Sequence, residues 1–83
     1  MSQHASESLR PLNVALLTVS DTRTRENDTS GDYLQDAVES AGHRLVERRL
    51  LKDDIYRMRA TVSAWIADPG VEVIVTTGGT GFT

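Results

Sequence analysis

Cysteine is absent from the chain. No disulfide framework, thiolate nucleophile or thiolate metal site can be built, and a reducing compartment fits. An excess of positive charge is missing as well. Nine Lys and Arg stand against twelve Asp and Glu, a formal net charge of −3, which argues against nonspecific attraction to nucleic acid or an anionic membrane. No apolar run approaches the roughly 18 residues of a membrane span. The first eight residues, Met1 to Ser8, lack both a basic n-region and an apolar h-region, so they do not read as a secretory signal. Residues 1–11 read as a flexible lead-in, and the expected location is the cytoplasm. Repeats, low-complexity tracts and internal domain boundaries are also missing. With 83 residues, 39% of them apolar, the chain makes at most one small domain. A domain of that size buries only about 60–65% of the surface its unfolded form exposes, so its stability margin is thin.

What is present falls into a β-α-β-α-β order. Asn13 to Val19 is nearly continuous apolar, the mark of a strand buried on both faces. A polar stretch from Ser20 to Thr29 follows. Ser30 can cap a helix from about Gly31 to Ala41, in which Leu34, Ala37, Val38 and Ala41 recur at helical spacing and Gly42 supplies the stop. Arg44 to Leu51 reads as a half-polar strand near a sheet edge. Asp53 or Asp54 caps a second helix, with Ile55, Met58, Val62, Trp65 and Ile66 as its buried stripe and Pro69-Gly70 as its end. Val71 to Thr77 is the third strand. The short connections favour an α/β unit with a parallel sheet and right-handed crossovers.

In such sheets ligands bind outside the carboxyl ends of the strands. Three chemically rich segments share that edge: Ser20-Asp21-Thr22-Arg23, Lys52-Asp53-Asp54, and the loop Thr77-Gly78-Gly79-Thr80-Gly81. Three glycines let backbone amides converge on an anion with no Cβ in the way, while Thr77 and Thr80 add hydroxyl donors. The loop is neither a Walker A loop nor a G-x-G-x-x-G fingerprint. A bare turn rarely needs three glycines, so anion or phosphate binding is the favoured reading.

The other clusters are less one-sided. Ser20 to Arg23 can line a pocket, and Arg23 or Arg25 can pair with phosphate, but ordinary turn chemistry explains the segment equally well. Capping accounts for Ser30 completely. Gly31 in the first helical turn costs stability, which points to close approach by a ligand or a neighbouring loop. Either of Asp53 and Asp54 can ligate Mg²⁺, although capping and helix-dipole roles are favoured on pattern alone. His4 and His43 receive no role. Trp65 reads as core.

In this order the motifs resemble the MoaB/MogA molybdenum-cofactor biosynthesis family. The matching stretches are Leu17-Thr18-Val19-Ser20-Asp21, Asp28-Thr29-Ser30-Gly31, Asp53-Asp54 and Thr77 to Gly81. Val62-Ser63-Ala64-Trp65-Ile66-Ala67, together with Thr77 to Thr83, is most like the MoaB branch. The resemblance runs from about Leu12 to the last residue. It implies a three-layer, doubly wound, mostly parallel molybdopterin-binding fold and homo-oligomers, trimeric or hexameric. It also implies molybdopterin as ligand, a pterin bearing a dithiolene and a terminal phosphate. Active members transfer AMP from Mg-ATP to that phosphate.

Carried over residue by residue, Thr77, Gly78, Gly79, Thr80 and Gly81 would hold the phosphate-bearing ligand. Ser20 and Asp21 would line the pocket, and Asp28, Ser30 and Gly31 would border it. Asp53 would be the catalytic, Mg²⁺-associated acid. Lys52 departs from the family, where many active members carry proline. The family also continues past the glycine loop with a further acid and a proline-glycine-rich loop. Residues 12–83 are therefore expected to be the N-terminal half of a molybdopterin-binding domain, inactive by itself. The expected activity of the longer protein is adenylylation of molybdopterin. The alternatives are non-catalytic binding of molybdopterin or its precursor, and an unrelated nucleotide-binding α/β module.

Overall fold

The computed structural model describes residues 10–78. Strand β1 spans Asn13–Val19, helix α1 Thr29–Ser40, strand β2 Arg44–Leu51, helix α2 Ile55–Ala67 and strand β3 Val73–Gly78, with a short 3₁₀ turn at Arg25–Asn27. The strands form one parallel sheet in the order β2-β1-β3. The first strand is central, and Val14 to Val19 are all buried, as its continuous apolar run requires. The half-polar β2 lies at the edge of the described sheet. Among the described residues, no helix is long and apolar enough to cross a membrane.

The chain steps from β1 to β2, then back across β1 to β3. Right-handed crossovers in opposite directions put the two helices on opposite faces. Ala15, Leu17 and Val19 pack with Trp65, joined by Met58 and Val62 of α2 and by Leu51, Val71 and Ile74. On the other face Thr18 reaches Asp28, the N-cap of α1. A bulge in β2 sets which side chains go where. Val14 pairs with Leu45 but Ala15 with Glu47, so Val46 is the extra residue. Glu47 consequently faces α2, where its carboxylate accepts the Trp65 indole N–H at 2.9 Å. Arg48 faces α1, where it donates to Gln35 at 2.7 Å.

Two boundaries and one helical stripe differ from expectation, each for a local reason. Helix α1 is capped by Asp28, whose Oδ1 accepts the Gly31 amide at 3.0 Å, so Ser30 lies inside the first turn and is not the cap. Its far end closes as expected in a Schellman motif, with Gly42 donating to Glu39 and His43 to Val38. Helix α2 is capped by Asp54, which accepts the amides of Tyr56 and Arg57. Of the stripe expected on α2, Met58, Val62 and Trp65 pack on the sheet, whereas Ile55 and Ile66 are 56% and 73% exposed. At about 100° per residue, both fall about 50–75° to one flank of the buried stripe's centre. Strand β3 starts two residues late because the Val71 amide closes a turn onto the Asp68 carbonyl.

Candidate functional site

The strand order 2-1-3 reverses direction between β1 and β3, and the crevice outside their carboxyl ends is where an open α/β sheet binds its ligand. Gly78 ends β3 beside Val19, the last residue of β1. Its φ is +89°, and a Cβ there would run into the Val19 carbonyl oxygen. Glycine is therefore demanded at the first of the three loop glycines by backbone geometry and by a neighbour, before any ligand is considered. Gly79, Thr80 and Gly81, also expected in the site, lie outside the described residues.

Thr77 and the opening turns of α1 border an open, shallow cleft of about 380 Å³, lined by Thr29, Ser30, Tyr33, Leu34 and Thr77. Two of the expected ligand residues, Ser30 and Thr77, are thus brought together from segments almost fifty positions apart. The Arg23 guanidinium crosses from the β1–α1 loop and donates to Ser30 Oγ at 3.1 Å. That leaves the Ser30 hydroxyl proton for another acceptor. Its loop is built on Ser20, whose Oγ accepts the amides of Thr22 and Arg23. Ser20 Oγ is accordingly occupied with turn chemistry in this arrangement.

Asp21 and Asp53 form a second group on the same edge. The Asp53 amide donates to Asp21 Oδ1 at 3.0 Å, and the Ser20 amide donates to the Leu51 carbonyl at 2.9 Å, locking the β1 and β2 ends together. The Asp53 side chain is exposed and, unlike Asp54, caps nothing. Among the described residues, no three Asp, Glu, His or Cys side chains converge as a metal site.

Asp28 and Gly31 occupy a different layer, behind the cleft. Asp28 is fully buried. It accepts from Thr18 Oγ1 at 2.8 Å, from the Gly31 amide, and from Arg48 at 3.1 Å. Burial pushes its carboxyl pKa up. The hydrogen bonds from Thr18, Gly31 and Arg48, with the Arg48 charge, outweigh that push and hold it below the usual carboxylate value. Arg48, only 6% exposed along its side chain, also meets Asp32 at 2.9 Å. Gly31 has its close neighbours here. A Cβ at this position would collide with the Asp28 carboxylate and come within 2.7 Å of the Arg48 guanidinium.

Sequence reasoning passed over Arg48, Thr18 and Tyr33. Arg48 sits in a strand of alternating charge with no local signal of a partner. Thr18 looked like one more residue of an apolar run. A polar residue inside a doubly buried strand was the available clue to Thr18, since it must find a hydrogen bond.

A family model described as "Probable molybdopterin binding domain" matches residues 15–83. Molybdenum cofactor biosynthesis protein B of Escherichia coli (strain K12) is 49% identical over 83 residues, covering all of this chain and 48% of that protein. The Bacillus cereus protein of the same name is 34% identical over 83 residues, covering all of this chain and 49% of that one. A solved structure, "Crystal structure of Molybdenum cofactor biosynthesis protein B", superposes with a TM-score of 0.83 at 36% identity, over 89% of this chain and 46% of the other. The chain spans about half the length of the curated relatives it matches.

Proposed function

This chain belongs to the family of probable molybdopterin-binding domains, and on that footing we propose that the protein carrying it works in molybdenum-cofactor biosynthesis, binding molybdopterin at the carboxyl edge of the sheet. The observation that carries this reading is the cleft at the β1/β3 switch point, where the Thr77 end of β3 meets Thr29 and Ser30 at the start of α1. A terminal phosphate suits that place. The hydroxyls of Thr29, Ser30 and Thr77 can donate to phosphate oxygens, and the glycines that follow Thr77 let amides approach without side-chain obstruction. Thr77, Gly78, Gly79, Thr80, Gly81 and Ser30 are the residues assigned to the ligand, with Ser20 and Asp21 shaping the neighbouring loop. Asp28 and Gly31 act from behind, fixing the first turn of α1.

The same reading includes adenylylation of molybdopterin with Mg-ATP. Asp21 and Asp53 offer hard oxygen donors on the correct edge. They suit an Mg²⁺ that arrives with nucleotide phosphates and needs only one or two carboxylates, rather than a resident metal in a protein cage. Asp53 would hold the ion, which when bound neutralises phosphate charge. The binding chemistry does not require turnover, so a non-catalytic binder is the second reading. The complete protein is proposed to assemble as a homo-trimer or hexamer.

The test is direct. Molybdopterin is titrated into the complete protein, and adenylyl transfer is then followed with and without Mg-ATP. Saturable binding with Mg-ATP-dependent turnover is expected. Binding without turnover selects the second reading, and no binding removes both.

A further inference from the structure

Among the described residues, Tyr33 lies outside the core cluster. Its side chain is 73% exposed, yet it stands one turn into α1 on the wall of the cleft. The other exposed large hydrophobics, Val46, Ile55, Tyr56 and Ile66, do not line that cleft. Its walls differ in kind. Thr29, Ser30 and Thr77 bring hydroxyl groups, while Tyr33 and Leu34 bring apolar surface. The volume of about 380 Å³ falls in the range of small-molecule sites. An occupant that satisfies both walls joins a planar ring to an anionic tail.

We propose that Tyr33 is the platform on which the pterin ring of the bound ligand stacks, the hydroxyl wall taking the anionic end. The inference rests on the molybdopterin reading above and adds to it the residue that recognises the ring. A tyrosine suits the role because its ring offers a large rigid face at little entropic cost, its motion being limited to two side-chain torsions. Arg23 sets the hydroxyl one turn before Tyr33 on the same helix face. By donating to Ser30 Oγ at 3.1 Å it occupies the acceptor side of that hydroxyl, so Ser30 meets an anion as a donor.

The experiment measures molybdopterin affinity in the complete protein, and in parallel the competition of inorganic phosphate for the same site. Tyr33→Ala should weaken molybdopterin binding about tenfold or more, the scale on which aromatic platforms hold single planar bases. The phosphate competition constant should stay within about twofold, because the hydroxyl wall is untouched. Tyr33→Phe should keep wild-type affinity. Tyr56→Ala, at a tyrosine 77% exposed and away from the cleft, should change neither constant. A wild-type protein that binds no molybdopterin removes the functional reading itself. Wild-type binding that Tyr33→Ala leaves unchanged overturns the platform alone. So does an equal loss of phosphate competition, a Tyr33→Phe variant as weak as Tyr33→Ala, or a change of sedimenting mass in Tyr33→Ala.

Discussion

At the scale of single residues, the most consequential group is the buried carboxylate of Asp28, which ties the β1 core to the first turn of α1 and to Arg48. Asp28→Asn keeps the shape but leaves Arg48 a buried cation with only the half-exposed Asp32 opposite. Stability at pH 7 should fall by about 3 kcal/mol, the low end for a buried pair that loses one partner, because Asp32 still faces Arg48. The pH dependence follows from the sign of the shift. The folded-state pKa is lowered, so the stabilisation is complete above the unfolded carboxylate value, near pH 4, and is lost as pH falls through the lowered one. The gap between wild type and Asp28→Asn should therefore narrow under acid. Urea unfolding at pH 7 and pH 3 reads both effects, and a constant gap would rule out a charged Asp28. Asp53 calls for a different measurement. Its exposed side chain supports nothing in the fold, so Asp53→Asn should leave stability and molybdopterin affinity near wild type. On the proposed adenylylation reading, transfer in the complete protein should drop on the order of 10²-fold, about 2.7 kcal/mol of barrier. Asp54→Ala is the counterpart, expected to cost about 1 kcal/mol of stability as a lost cap with little change in rate. Full activity in Asp53→Asn would make Asp53 a bystander.

At the scale of elements, β2 carries the decision that aims two functional layers. Its bulge at Val46 sends Glu47 to Trp65 on one face and Arg48 to Asp28 on the other. Val14 pairs with Leu45 and Ala15 with Glu47, so the ladder does not use Val46. Deleting Val46 should close the bulge and keep Glu47 on the Trp65 face and Arg48 on the Asp28 face. Cooperative melting and an unshifted Trp65 emission are expected. Inserting an alanine between Glu47 and Arg48 should instead exchange the faces of the residues after it and abolish cooperative melting, since side chains alternate along a strand. Val46→Thr, at a position 45% exposed, should be close to neutral. An insertion variant that melts like wild type would mean that the strand re-registers freely. The helices show how far periodicity reaches. The turn that stops α1 was legible at Gly42, and the pairing of stripe and sheet was legible at Met58, Val62 and Trp65. Ile55 and Ile66 were misplaced because a hydrophobic residue on the flank of a stripe obeys the same spacing as one in its centre. Only the width of the facing sheet separates them. The cap of α1 was misplaced by two residues because Asp28 and Ser30 are both good capping residues, and the choice between them rests on Thr18 and Arg48, which are remote in sequence.

At the scale of the whole molecule, the described sheet leaves one side of β3 unpaired, since β1 is its only partner among the described residues. Ile55 and Ile66 stand exposed on α2. An open strand edge together with uncovered apolar side chains is a template for association. As a separate polypeptide, the 83 residues should sediment as concentration-dependent assemblies, and added urea should dissociate them before the helices melt. A monomer across the micromolar range with a single cooperative melt would contradict this.

Sequence alone determined the element order, the limits of β1 and β2, the buried role of Trp65 and the edge of the sheet on which Ser20, Asp53 and Thr77 lie. Each of these follows from local patterning, where a run of apolar residues or a helical spacing has one economical solution and every strand of a parallel sheet points its carboxyl end the same way. Tertiary structure decided the strand order that opens the crevice between β1 and β3 and the bulge that turns Arg48 onto Asp28. It also decided the meeting of Ser30, Tyr33 and Thr77 around one cleft. Those contacts join residues tens of positions apart, and their energies come from desolvated charge and from register. No window of neighbouring residues contains either term.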